Sequence, residues 1–382
     1  MKLVGPLLIV ASTVGSLAPA LSFAQSPTEP TPFTYATGLE APRGLRFGPD
    51  GELYVAEAGT GGTNATSPKT CTQVPGPVGP YTGGMNGRIS KISSKGTRIT
   101  VASGFPSTQD AGGDLIGVAD VAFLNGVLYA AVAGGGCSHG NPKSPSGIAM
   151  VNRWSGTWTL IADIGAWLKT HPAKIENPGD FEPDGTLYSL IAHDGKLFTV
   201  EPNHGQVISV STSGEIKQVI DVSASNGHIV PTSIVARDGK FYLGNLNLFP
   251  INQQWARIMT VSRDDDDNYD TAPGFETRGP QIVNSKAGFT TVVAVDFGPD
   301  GLLYALELSD GPGFPTAGLG KVVRVTSSGE IEDVITGLAV PAGMTFGPDG
   351  RLYVSNFGAI PAGTPLGLNS GQILRYDIVP GS

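Results

Sequence analysis

Apolar and polar residues alternate along this chain in short runs broken by glycine-rich turns, and no 3.6-residue period persists over any long stretch. The clearest instance is 341–358, PAGMTFGPDGRLYVSNFG, where Met344 and Phe346 mark one strand and Leu352 and Val354 the next. Between them Gly347-Pro348-Asp349-Gly350 makes the turn. Proline presets φ, aspartate bonds its own backbone and glycine accepts a positive φ, so the unit predicts a tight β-hairpin. Near-copies occupy 43–59 and 293–309, and weaker echoes turn at Asn125-Gly126, Asp194-Gly195 and Asp238-Gly239. The hairpin therefore recurs in all six units of a repeat protein.

Each unit goes on to further strands. In the fifth, 321–325 supplies a third strand, TSSGE a turn and 331–336 a fourth, which is the four-stranded antiparallel blade of a β-propeller. The fourth strand of the fourth unit is expected near 280–284, and Pro183-Asp184-Gly185 is read as the way into the third blade, not as a hairpin of its own. The sixth unit lacks a fourth strand after 372–376, while FTYATGL at 33–39 resembles ITGL at 335–338. If 33–37 pairs antiparallel with 372–376, the ring closes and no sheet edge stays open. The fold class expected is all-β, a six-bladed β-propeller closed by an N-terminal strand.

Composition narrows the picture. A ring of this kind holds 382 residues as one domain, and 54 glycines with 30 prolines suit many tight turns. A formal net charge of −9 argues against a nucleic-acid partner or an anionic membrane surface. Lys2, the apolar stretch from Leu3 to Leu17 and Ser22-Phe23-Ala24 predict a signal peptide over 1–24, cleaved before Gln25. Residues 25–32 are then a Pro-rich linker and 33–382 the propeller, with no later apolar run near the ~20 residues of a membrane helix. The expectation is a monomer that is secreted or periplasmic. Cys71 and Cys137 fall in the long loops joining strands two and three of neighbouring blades, and export favours a disulfide between them.

The hairpin repeat resembles NHL-type propellers. More specifically, GLEAPRGLRFGPDGELYVAEAGTGG and GVADVAFLNGVLYAAV resemble the ScyD/ScyE family of exported propellers, a likeness spanning nearly the whole mature chain. The resemblance implies fold and export, with a link to secondary-metabolite handling, and carries no catalytic mechanism. Blade three departs from the family pattern at Thr186-Leu187-Tyr188 and at Glu201-Pro202-Asn203-His204.

In such a blade, the segment leading into strand one and the loop joining strands two and three share a face, opposite the GPDG turns. Arg43, Asp120, Thr186, Thr232 and Thr291 lead into first strands. Glu57, Glu201, Asn203, His204, Asn245, Glu307, Asp310 and Asn356 follow second strands. Carboxylates, amides and one arginine on one face suit a small polar molecule, a glycan or a protein loop, or Ca2+ or another divalent cation. The alternative is structural: short acidic and amide residues after a strand cap backbone groups. Calcium-dependent propeller lactonases open their first blade with a metal-binding Glu where this chain has Arg43, whose permanent charge favours a carboxylate or phenolate ligand. Streptogramin-lyase propellers share a Glu after strand two, as at Glu57, but use a catalytic His, for which only His139 and His204 lie on the right face. No G-x-S-x-G elbow or zinc-ligand spacing is present, and the acidic run at 264–267 lacks the Gly and terminal Glu of an EF-hand loop. Three functions stand: a binding or accessory protein; a metal-assisted hydrolase, lactonase or lyase using the same carboxylates; and a purely structural envelope protein.

Overall fold

The recurring G-P-D-G-x-L-Y pattern has a direct physical reason. In blades one, five and six the turn aspartate accepts a hydrogen bond from the tyrosine four residues on: Asp50 from Tyr54 at 2.9 Å, Asp300 from Tyr304 at 2.8 Å and Asp349 from Tyr353 at 3.0 Å. Gly51, Gly301 and Gly350 sit at φ 75°, 81° and 75°, the left-handed conformation the turn requires. Strand alternation then buries one side chain set on each face of the hairpin.

In the computed structural model, which describes residues 29–262, 280–358 and 371–378, six antiparallel sheets form a six-bladed β-propeller. The expected signal peptide, residues 25–28 of the linker and the acidic run at 264–267 lie outside the described residues. The innermost strands are Pro42–Phe47, Val118–Leu124, Ser189–His193, Pro231–Arg237, Val292–Phe297 and Gly343–Phe346, and each touches the inner strands on both sides. The core lies between blades. Leu45, Leu53 and Val55 of blade one pack with Tyr35, Leu39, Tyr353 and Ile373 of blade six, and Tyr54 and Ile89 with Val118, Val121 and Leu128 of blade two.

Closure takes the expected form. Phe33–Leu39 is the outer strand of blade six and pairs antiparallel with Gly371–Tyr376, Phe33 opposite Arg375 and Thr37 opposite Gln372. The fourth strand of blade four runs over Ile282–Phe289, longer than expected, and blade three begins at Ser189. Blade one differs most from expectation. Its long excursion is partly strand: Thr82–Ile92 and Arg98–Gln109 extend the blade upward, with Asn64–Ala65 and Leu115–Ile116 pairing to that extension.

Candidate functional site at the channel mouth

The hairpin registers place Gly44, Asp120, Ser189, Ser233, Ala294 and Gly343 at one level of the six inner strands. Small side chains are needed where six strands converge. A Cβ on Gly44 would lie 2.0 Å from Asp120 Oδ1, so glycine in blade one leaves the room that the Asp120 carboxylate fills. These six residues, with Arg46 and Tyr188, line a channel cavity of ≈ 30 Å³. That is room for a water or two, against the few hundred Å³ of a small-molecule pocket. An organic ligand on this axis therefore sits at the mouth, above the cavity.

Asp120 accepts hydrogen bonds from the backbone N–H of Val121 at 2.8 Å and of Leu190, in blade three, at 2.7 Å. Burial raises its pKa to about 6, against the lowering effect of the Arg46 charge and the two amides. Arg43, one level up, is also buried. Its guanidinium donates to the Leu115 carbonyl, lies 3.6 Å from Asp114 and stands 5.9 Å from the ring centre of Tyr188. Burial opposes its charge, but Asp114 and Tyr188 outweigh burial and raise the pKa. An anionic ligand at Arg43 would thus compete with Asp114.

The residues after second strands turn back to their own blades. Glu57 accepts from Glu40 N–H at 2.7 Å and from the Arg88 and Arg98 guanidiniums at 2.8 and 3.2 Å, and also from Ser90. Glu201 accepts from Thr186 N–H, Glu307 from Thr290 N–H and Asn356 from Ala339 N–H, at 2.9, 3.0 and 2.8 Å. Asn245 accepts from Arg257 N–H and donates to the Ile229 carbonyl. One device recurs in four blades: a short polar side chain at the end of strand two caps the amide ahead of strand one. Thr232 and Thr291 likewise donate to backbone carbonyls, Val292 and Ser309.

Blade three adds local pairs. His204 bonds Glu201 at 2.9 Å through Nδ1, and Thr186 donates to Asn203, which reaches the Asp180 carbonyl. Burial would neutralise this pair, but mutual attraction raises His204 and lowers Glu201. Glu307 lies 3.8 Å from Lys321, its Oε2 has no hydrogen-bond partner, and burial raises its pKa to about 7 against the Lys321 charge.

Several members of the site were not apparent in the sequence. Tyr81, carried on the blade-one excursion, donates to Glu182 at 2.9 Å, and Glu182 meets His139 Nε2 at 2.8 Å. Asp184 holds Ser138 and Lys169. Glu182 and Asp184 flank Pro183 in the connector leading into blade three, so the acidic spacing was the available signal. The disulfide Cys71–Cys137 joins the two excursions beside this cluster. Among the described residues no set of three His, Cys, Asp or Glu side chains stands together as metal ligands.

No protein-family model matches the chain, and no curated protein does. Solved structures do match. Regucalcin of Agrobacterium tumefaciens, described as a calcium-binding protein, is 15% identical, covering 91% of this chain and 93% of its own, with a TM-score of 0.55. The PQQ-bound aldose sugar dehydrogenase of Streptomyces coelicolor is 13% identical, covering 92% and 97%, with a TM-score of 0.53. A gluconolactonase of Xanthomonas campestris is 10% identical, covering 91% and 89%, with a TM-score of 0.51. At these identities the likeness shows the propeller fold.

Proposed function

We propose that the chain is an exported, non-catalytic binding protein that holds a small polar ligand at the channel mouth, above Arg43, Asp114 and Tyr188. The carrying observation is how its polar groups are engaged. Glu57, Glu201, Glu307 and Asn356 cap amides of their own blades, whereas Asp120 and Tyr188 line the channel cavity and Arg43, paired with Asp114, stands by the Tyr188 ring. The disulfide supports an oxidising compartment, and the ScyD/ScyE resemblance supports export and a tie to secondary metabolism.

The test is a thermal-shift screen of the purified protein against lactones, glycosides, aromatic metabolites and divalent cations. A ligand at 100 times its Kd stabilises by about 2.7 kcal/mol. Tyr188→Phe and Asp114→Asn should each weaken the response at least several-fold while the variants stay folded. A response unchanged in both would move the site off the channel mouth.

A second reading, a metal-assisted hydrolase or lactonase, has Asp120 in its favour: a buried carboxyl on the axis with a pKa near 6. The donor set does not fit its cation, because Asp120 is the lone carboxylate at its level and the Arg46 charge acts on it. Lactone opening by the purified protein, abolished by Asp120→Asn, would establish that reading instead.

A further inference from the structure

The loops joining strands two and three of blades four and five expose an apolar surface. Residues 246–255, LNLFPINQQW, join Lys240–Asn245 to Ala256–Ser262, and 311–319, GPGFPTAGL, lie between Leu303–Glu307 and Gly320–Val325. Trp255 is 64% exposed and Phe314 67%, and Leu248, Phe249 and Leu319 are also exposed. The loops are fastened together. Ile251 and Gly313 exchange backbone hydrogen bonds, Gln253 donates to the Asp310 carbonyl at 2.5 Å, and the Phe249 and Phe314 rings lie 6.2 Å apart, tilted by 36°. Exposed rings held on fixed backbone incur little ordering cost when a partner arrives.

The chemistry around the rings selects the partner. Neither stretch carries a charged residue, although the chain has a formal net charge of −9. The polar groups are carboxamides instead: Asn252, Gln253 and Gln254 are exposed, and Asn247 Nδ2 is buried without an acceptor. Asn247 and Gln254 also hold positive φ, 65° and 63°, strain of the kind found at binding loops. Aromatic faces stack on the C–H faces of pyranose rings, and carboxamides both donate to and accept from hydroxyls. A lipid surface would call for basic residues, which these loops lack.

We infer that this two-loop surface docks a neutral polysaccharide chain, with Trp255 and Phe314 as stacking platforms. None of its residues lines the channel cavity, and the inference does not depend on the ligand proposed at the mouth. Its carriers, blades four and five, lie across the ring from the disulfide-linked excursions of blades one and two.

The experiment is native affinity electrophoresis of the full chain in gels cast with hydroxyethyl cellulose or glycol chitin, with sedimentation analysis alongside. Wild type should be retarded in at least one gel, and Trp255→Ala with Phe314→Ala should reduce the retardation at least tenfold. Trp154→Ala is the control, since Trp154 is 86% exposed but lies in a turn of blade two beside Arg153. It should bind as wild type does. Absence of retardation in both gels, retardation unaffected by the double substitution, or equal loss in Trp154→Ala would each overturn the proposal. So would a dimer dispersed by the double substitution, which would make a second copy the occupant.

Discussion

Glu57 is fully buried yet faces two guanidiniums, a seryl hydroxyl and an amide, so its charge is matched inside the blade. Glu57→Gln keeps the shape but takes the charge partner from Arg98 and leaves Arg88 only Glu40, and should destabilise the protein by about 2–4 kcal/mol in urea unfolding. Titration offers a second check. Burial raises Glu307 from 4.5 to about 7 and Asp120 from 3.8 to about 6, so over those windows the folded state holds protons the unfolded state has lost. Stability therefore falls as pH rises through them. His139 and His204 are raised above 6.5 by Glu182 and Glu201 against burial, and their contribution, full below 6.5, is also lost as pH rises. Glu201 and Asp184 are lowered, so theirs is lost as pH falls below the ordinary carboxylate range. The melting temperature should peak in mildly acid solution and decline between pH 6 and 8, less steeply in Glu307→Gln; a steady rise from pH 5 to 8 would contradict this assignment. None of these partners could be read from the chain. Glu57 and Arg98 stand 41 residues apart, and which cation a buried carboxylate meets depends on how strands align.

Strands were far more legible, because alternation of apolar and polar residues between tight turns states both the face and the length. The pairing of Phe33–Leu39 with Gly371–Tyr376 followed from a counting argument, one strand missing at one end and one spare at the other. Removing residues 25–39 takes Tyr35, Ala36 and Leu39 out of the core between blades six and one, a loss of at least ~4 kcal/mol. It also opens the edge of blade six. The truncated protein should aggregate or melt well below the parent; melting alike would exclude a closing role. The blade-one extension is illegible in the sequence for the opposite reason. Its TGGMNG stretch has no alternation, and its strands are held by pairing with Arg98–Gln109 instead of by an apolar face.

For the molecule as a whole, the Cys71–Cys137 bond spans 66 residues and ties the blade-one and blade-two excursions together beside Tyr81, Glu182 and His139. Replacing both cysteines with serine should cost about 2–4 kcal/mol and expose residues 59–81 to protease first, while leaving the blade registers intact. Mapping the first cleavage sites by mass spectrometry decides this; initial cuts elsewhere would show that the bond does not restrain that excursion. The ring closure has a consequence in time as well as in energy. Bringing Phe33–Leu39 to Gly371–Tyr376 joins the most widely separated strand pair in the sequence, so its loop-closure entropy is the largest of any pair and it forms late. The most N-terminal strand of the ring is thus among the last to find its place. Until it does, blade six lacks its outer strand and Gly371–Tyr376 keeps an open edge; afterwards the ring is locked. A circular permutant that joins these two strands by a short linker and opens the chain at a GPDG turn should keep the architecture but fold ahead of the natural order.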